Sequence, residues 1–263
     1  MNYNFSEELE IAKHAAKEIG KIQMKHFRTN LKVIRKTPKE FVSNVDVECQ
    51  KMANKLLKEK FDYFVLSEEK RIHEENDADL FWIVDPMDGT HNFIAGVPNF
   101  GVSIALANRD KFVLGVIYLP FFDELYHAMK DEGAFMNEKP ISVSNNKDLS
   151  KSMITYDNQF YLNEYSFERY KRLIDHCFTT RITGSAIYDF SLIASGKIDA
   201  RIWNKTKIFD FAGGITIVCE AGGKITGFNG EEINPGSKEV IASNGHVHNQ
   251  LIDILRYKTV KEV

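Results

Sequence analysis

The chain has 263 residues, with 34 Lys and Arg against 37 Asp and Glu, for a formal charge of −3. This length holds one large domain or two fused ones and buries about 70–75 % of the unfolded surface. Near-neutral, mixed charge excludes a dedicated polyanion binder, and 43 % hydrophobic with 12 % aromatic content excludes intrinsic disorder.

Cys49, Cys177 and Cys219 are odd in number and lack CxxC spacing. That pattern argues against a disulfide framework or a thiolate zinc site and points to a reducing cytoplasm. The first twenty residues show no basic stretch followed by an apolar core, and no apolar run approaches the ~18 residues of a membrane span. No membrane association is expected. The longest apolar candidate, 112 to 122, is interrupted by Gly115 and Pro120 and reads as a buried strand.

From Ser6 to about Arg28, the spacing of Ile11, Ala15, Ile19 and Ile22 predicts an amphipathic helix, with Ser6 as cap and Glu7 and Glu8 at its positive end. The polar run 35–40 reads as an exposed loop. A second helix follows from about Val45, with Cys49, Met52 and Leu56 on one face. Two short apolar runs, 63–66 and 81–84, each end abruptly in acidic residues and read as strands delivering carboxylates at their C-terminal ends. Stretches 101–107, 112–119, 124–129 and 133–143 predict an antiparallel meander. After a polar connection near 145–152, helices are predicted at 166–176, 185–195, 210–221 and 246–257. The expected organisation is an N-terminal α+β half, 1–145, carrying the main motif, and a C-terminal α/β half, 146–263, completing the site.

The densest candidate site is Asp85-Pro86-Met87-Asp88-Gly89-Thr90. Two carboxylates three residues apart across a tight turn share one space, and like charges held that close need a cation to remain ionised. Hard oxygen ligands at a strand end suit Mg²⁺, and a helical turn opening after Asp88 offers N–H groups to an anion. An ordinary Asp-Pro turn at a helix start gives the same hexapeptide. There is no EF-hand loop, P-loop or GxGxxG. Glu68 and Glu69 follow a strand as Asp85 does, and otherwise read as a solvated pair. Asp46 and Asp210 each sit at a helix start, where acidic residues are ordinary, but four acidic positions at element ends are less so.

Residues 82–93, WIVDPMDGTHNF, resemble the first signature of the inositol monophosphatase family of Mg²⁺-dependent, lithium-sensitive phosphatases. The stretch 209–223 resembles its second signature, with Phe209 in place of the usual Trp. Lys36, Asp46 in SNVD, Glu68 in SEE, and the SNG segment 243–245 follow in family order. The resemblance implies a layered αβαβα sandwich of the sugar-phosphatase type, often dimeric. It implies Glu68, Asp85, Asp88, Asp210 and the Met87 carbonyl as ligands of two or three Mg²⁺ ions. Asp46 and Thr90 would activate the attacking water, Gly89 and Thr90 would donate to phosphate, and Gly184, Ser185 and Ala186 would line the substrate side. Glu68, Asp88 and Asp210 would border the substrate as well. No imidazole base is required, so His91 reads as a surface or packing residue.

Seven residues before Asp210, where inositol-handling members commonly have a Glu for sugar hydroxyls, this chain has Trp203. An indole offers a flat apolar face and a single donor. The leading expectation is hydrolysis of a small polyol or sugar phosphate, inositol monophosphate by default. A second is a 3′(2′),5′-bisphosphate nucleotide or other phosphate ester, its base stacked on Trp203 and its extra phosphate met by Arg201. A third is a regulator that binds RNA or protein on the same fold, although no basic arm or aromatic RNA-binding signature supports it.

Overall fold

The computed structural model describes residues 4–37, 40–67, 80–108, 111–162, 165–234 and 236–256. In the N-terminal part these form helix α1 (Ser6–His26), strands β1 (Val33–Thr37) and β2 (Glu40–Ser43), helix α2 (Asn44–Lys58), strands β3 (Phe64–Ser67) and β4 (Phe81–Asp88), and a single helical turn α3 (Thr90–Ile94). The meander follows as β5 (Gly101–Ala107), β6 (Phe112–Leu119), β7 (Glu124–Met129), β8 (Ala134–Met136) and β9 (Lys139–Pro140). Then come β10 (Met153–Tyr156), α4 (Tyr165–Ile174), β11 (Thr179–Arg181), α5 (Ala186–Ala194) and β12 (Ala200–Trp203). The chain continues through α6 (Ile208–Glu220), β13 (Lys224–Thr226), β14 (Val240–Ser243) and α7 (His248–Leu255).

Strand alternation explains the layering. Along β4, Trp82 and Val84 join the core that α1 and α2 cover with Ala12, Ala15, Ile19, Cys49 and Ala53, while Ile83 faces the opposite core. That opposite core belongs to α5 and α6, through Ile187, Phe190, Phe211 and Ile217. On the far side of those helices lies the second sheet, whose Trp203, Val240 and Ala242 close the same core. The next residues along those strands, Ile202 and Ile241, point outward to α4 and α7. The result is a five-layer αβαβα sandwich with a seven-stranded sheet, β3-β4-β5-β6-β7-β8-β9, and a five-stranded sheet, β11-β10-β12-β14-β13.

The polar run 35–40, expected to be a loop, is instead largely an antiparallel pair, with Ile34 opposite Val42 and Arg35 opposite Phe41; residues 38 and 39 lie outside the described residues. All five β1 residues are exposed, so no hydrophobic alternation announces the strand. Among the described residues no helix is long and apolar enough to cross a membrane.

Candidate active site

The site grows from the end of β4. Asp85 stands opposite Ser103 on β5, whereas Asp88 stands opposite Gly101, so β4 carries one extra residue there, a β-bulge. Pro86 inside the bulge has no N–H to give the ladder. The Met87 N–H turns back to Asp85 Oδ1 at 3.0 Å. Gly89 then adopts φ +78°, and a Cβ at that position would lie 2.5 Å from the Asn99 carbonyl oxygen. Only glycine fits, and α3 starts at once.

This reversal brings Thr90 Oγ1 to 2.9 Å from Asp46 Oδ1 and 3.0 Å from the Met87 carbonyl oxygen. A single hydroxyl proton serves one acceptor at a time, leaving the Thr90 lone pairs for a donor such as water. Asp46 is held from its other oxygen. Ser43 caps α2, and both its main-chain N–H, at 2.8 Å, and its hydroxyl donate to Asp46 Oδ2. Asp210 repeats the device at the start of α6, where Oδ2 accepts from Lys207 N and Thr206 Oγ1, each at 3.0 Å.

Asp88 meets the N-terminus of α5. The Ser185 hydroxyl donates to Asp88 Oδ2, and the N–H groups of Ala186 and Ile187 lie 3.3 and 3.4 Å from the carboxylate. Ser185 Oγ also accepts from Tyr188 N as the helix cap. Burial pushes the Asp88 carboxyl up to about 7; the Ser185 hydrogen bond opposes the rise and the Asp210 charge adds to it. Asn92, which sequence reading did not single out, ties the α3 turn to the segment before α5: its Nδ2 donates to Thr183 O at 2.9 Å and Asn99 O at 2.8 Å. Its only signal was membership of the 82–93 motif.

One open cavity of about 1630 Å³ is bordered by Lys36, Asp46, Asp85, Met87, Asp88, Gly89, Thr90, Gly184, Ser185, Ala186 and Asp210. The predicted site residues therefore share one space, except Glu68, which lies outside the described residues. Ser67, just before it, pairs level with Val84, just before Asp85. His91 packs edge-on against Phe41 with ring centroids 5.4 Å apart.

Among the described residues no three His, Cys, Asp or Glu side chains gather into a closed metal cluster. The donors are nonetheless all hard oxygens, and the like-charge pressure of Asp210 on buried Asp88 is what a cation relieves. An open set of carboxylates suits an ion that keeps several waters, so these residues fit Mg²⁺.

The substrate side departs from the stacking expectation. Trp203 borders the cavity but is 2 % exposed, stacked on Phe190 at 4.9 Å, with the Arg201 guanidinium 4.7 Å from its ring. It offers no free platform to a base. Arg201 is 5 % exposed and paired with fully buried Asp189, so it is committed before any second phosphate arrives. Strand alternation is the cause: Ala200 and Ile202 take the outer face of β12, which turns Arg201 and Trp203 inward toward α5. A carboxylate does border this wall, from the neighbouring strand. Asp157, just past β10, accepts from Asn204 N at 2.6 Å and Gln159 N at 2.9 Å. Counting back from Asp210 could not find it.

The model of the inositol monophosphatase family matches residues 4–259. The Nus factor SuhB of Pasteurella multocida is 32 % identical over 251 residues, covering 93 % of this chain and 94 % of that protein. The fructose-1,6-bisphosphatase/inositol-1-monophosphatase of Thermotoga maritima is 32 % identical over 254 residues, covering 94 % of each. Among solved structures, the extragenic suppressor protein suhB of Bartonella henselae superposes with a TM-score of 0.90 at 32 % identity, covering 95 % of this chain and 99 % of that one.

Proposed function

The chain belongs to the inositol monophosphatase family of generally metal-dependent phosphatases, and from that premise we propose that it is a Mg²⁺-dependent phosphomonoesterase acting on a small polyol or sugar phosphate, inositol monophosphate by default. The observation that carries the reading is the Asp46–Thr90 pair, standing beside Asp85, Asp88 and the Met87 carbonyl in one cavity.

Asp46, anchored by Ser43, accepts the Thr90 hydroxyl proton, which frees the Thr90 oxygen to accept a hydrogen bond from a water. That water attacks phosphorus in line with the ester oxygen while its proton passes through Thr90 toward Asp46. The P–O bond to the alcohol breaks, the alkoxide takes a proton from solvent, and inorganic phosphate remains. Main-chain N–H groups of Gly89 and Thr90 receive phosphate oxygens, and Gly184, Ser185 and Ala186 face the departing alcohol. Asp85, Asp88, Asp210, the Met87 carbonyl and Glu68 would hold two or three Mg²⁺. Bound there, Mg²⁺ supplies a water of lowered pKa and positive charge against the phosphoryl group.

The test is phosphate release from a panel of inositol, sugar and nucleotide monophosphates and a 3′,5′-bisphosphate nucleotide, with Mg²⁺ or Mn²⁺. No release from any member overturns the enzyme reading. A hundredfold preference in kcat/KM for the bisphosphate nucleotide would overturn the polyol assignment. The same reading places the protein in the cytoplasm as a homodimer inhibited by Li⁺, checked by sedimentation and by Li⁺ titration of the rate.

A second reading rests on the relative named a Nus factor, and makes the fold a docking regulator with catalysis incidental. An Asp85→Asn variant separates the two. Loss of phosphatase activity with the cellular phenotype kept would favour the regulator.

A further inference from the structure

One polar side chain of α1 is unexplained by its amphipathic pattern. Gln23 is fully buried on the face it shares with Ala12, Ala15, Ala16, Ile19 and Gly20, whereas the other buried polar residue of α1, Glu8, sits in its first turn and accepts from the Tyr63 hydroxyl. Its Nε2 donates to the Pro86 carbonyl at 2.9 Å and to the Gly101 carbonyl at 3.2 Å. These two acceptors stand on the two strands at the β4/β5 register shift, one inside the bulge and one opposite Asp88. The reach depends on Gly20, one turn earlier. A Cβ there would lie 2.5 Å from the Tyr118 ring, so a larger residue would force the ring or the helix to shift.

The Pro86 carbonyl and the Met87 N–H belong to one peptide group, which is planar and rigid. Gln23 holds the oxygen end of that plane, and the nitrogen end donates to Asp85 Oδ1 at 3.0 Å. Rotating the plane breaks both bonds together, so the orientation of Asp85 is tied to Gln23. Packing does not account for the amide, because Gln23 Oε1 is buried without a hydrogen-bond partner, a cost that an apolar side chain would avoid.

We propose that Gln23 is a positioning residue: through the Pro86–Met87 peptide it fixes the bulge that turns Asp85, the Met87 carbonyl and Asp88 toward the cavity. It touches neither substrate nor cation. The proposal rests on the reading of 85–88 as a cation-holding segment, and its tests separate the two.

Three measurements on the metal-free full chain decide it, comparing the parent with Gln23→Met, which keeps length without donors, and with Ile19→Val, a packing control on the same helix face. They are Mn²⁺ binding by calorimetry, amide hydrogen exchange at Met87, and melting temperature in EDTA. Gln23→Met should raise the Mn²⁺ Kd about 10-fold, as for groups that orient metal ligands, and speed Met87 exchange by a similar factor. Ile19→Val should lower the melting temperature while leaving both readouts at parental values. Equal Mn²⁺ affinity and equal Met87 exchange in Gln23→Met overturns the proposal. If that variant does not fold, the parent still decides: its metal-free Met87 amide should be as protected as those of β5, and exchange at the rate of an exposed loop overturns the proposal. A parent that binds no Mn²⁺ overturns the cation reading, and the exchange measurements then judge the positioning role on their own.

Discussion

Replacing Thr90 by Ala removes one oxygen, and the structure separates what that oxygen does at rest from what it does in turnover. At rest it donates to Asp46 or to the Met87 carbonyl, at 2.9 and 3.0 Å. A hydrogen bond to a carboxylate contributes about 1.5–3 kcal/mol, and the lower end applies because Ser43 keeps Asp46 in place without Thr90. In the proposed relay the hydroxyl links Asp46 to the attacking water, so its loss should lower kcat by about 10²- to 10⁴-fold, or about 3–5 kcal/mol of transition-state stabilisation. The proposed cation carboxylates do not depend on it. The Mg²⁺ concentration for half-maximal rate should therefore move by no more than about threefold. The assay is initial rate against Mg²⁺ for Thr90→Ala, Thr90→Ser and the parent, with urea unfolding of each; Thr90→Ser should recover most of the rate. Near-parental kcat in Thr90→Ala would refute the relay and leave Thr90 as a first-turn residue beside Gly89. A normal kcat with a raised Mg²⁺ requirement would refute it differently, placing the role of Thr90 on the Met87 carbonyl.

Asp88→Asn should raise the Mg²⁺ requirement at least about 10-fold and lower turnover, yet in EDTA it should melt no lower than the parent, because burial and the Asp210 charge disfavour the carboxylate there. Ser185→Ala removes both the α5 cap and a donor to Asp88 and should cost about 2–3 kcal/mol in urea unfolding. His248, buried between Thr226 and Ser243, is held neutral, its pKa lowered from 6.5 to about 4 by burial and by Lys224. The unfolded chain binds that proton first, so this stability is present above pH 6.5, falls by about 2 kcal/mol between pH 7 and 5, and is gone below 4. The loss is read as the difference in pH dependence between the parent and His248→Gln, since Asp88 titrates in the opposite sense and would mask it; parallel curves for the two proteins would refute the assignment.

What the sequence discloses depends on whether a residue's role is local. The DPMDGT segment is legible because its chemistry is its own: Pro86 interrupts the ladder, Gly89 takes a left-handed turn, and the carboxylates lie within four residues. Helices α1 and α2 are legible from spacing, and the αβαβα layering from the resemblance. Asp46 and Asp210 look ordinary because they are ordinary, each completing a hydrogen-bonded turn at a helix start. Which carboxylate oxygen the turn consumes and which it leaves toward the cavity is set by packing, not by spacing. The couplings that fix the site join residues far apart in the chain, Ser185 to Asp88, Asn92 to Thr183 and Gln23 to Pro86, and no periodicity encodes such pairs. Strand β1 escaped for a different reason: all five of its residues are exposed, and burial is what leaves a trace in sequence.

The wall around Trp203 shows how a correctly counted position can still mislead. Counting from Asp210 locates the residue, and the chemistry of indole suggests a stacking platform, but β12 sends that side chain inward against Phe190. Arg201 follows the same parity and lands on buried Asp189. Breaking a buried ion pair leaves an orphan charge at about 3–5 kcal/mol, more than the ~1.5–3 kcal/mol that one charged hydrogen bond to a second phosphate would return. Arg201 therefore stays where it is, and the pair presents no net charge to the leaving group. Recognition of the alcohol then falls to polar groups that border the cavity outside that pair: the 183–186 loop, where the Ser185 hydroxyl and the Ala186 N–H are engaged by Asp88 and the Thr183 carbonyl by Asn92, and Asp157, partly occupied by Asn204 and Gln159. A leaving group with hydroxyls can meet such a wall; one that relies on aromatic stacking finds the indole already covered.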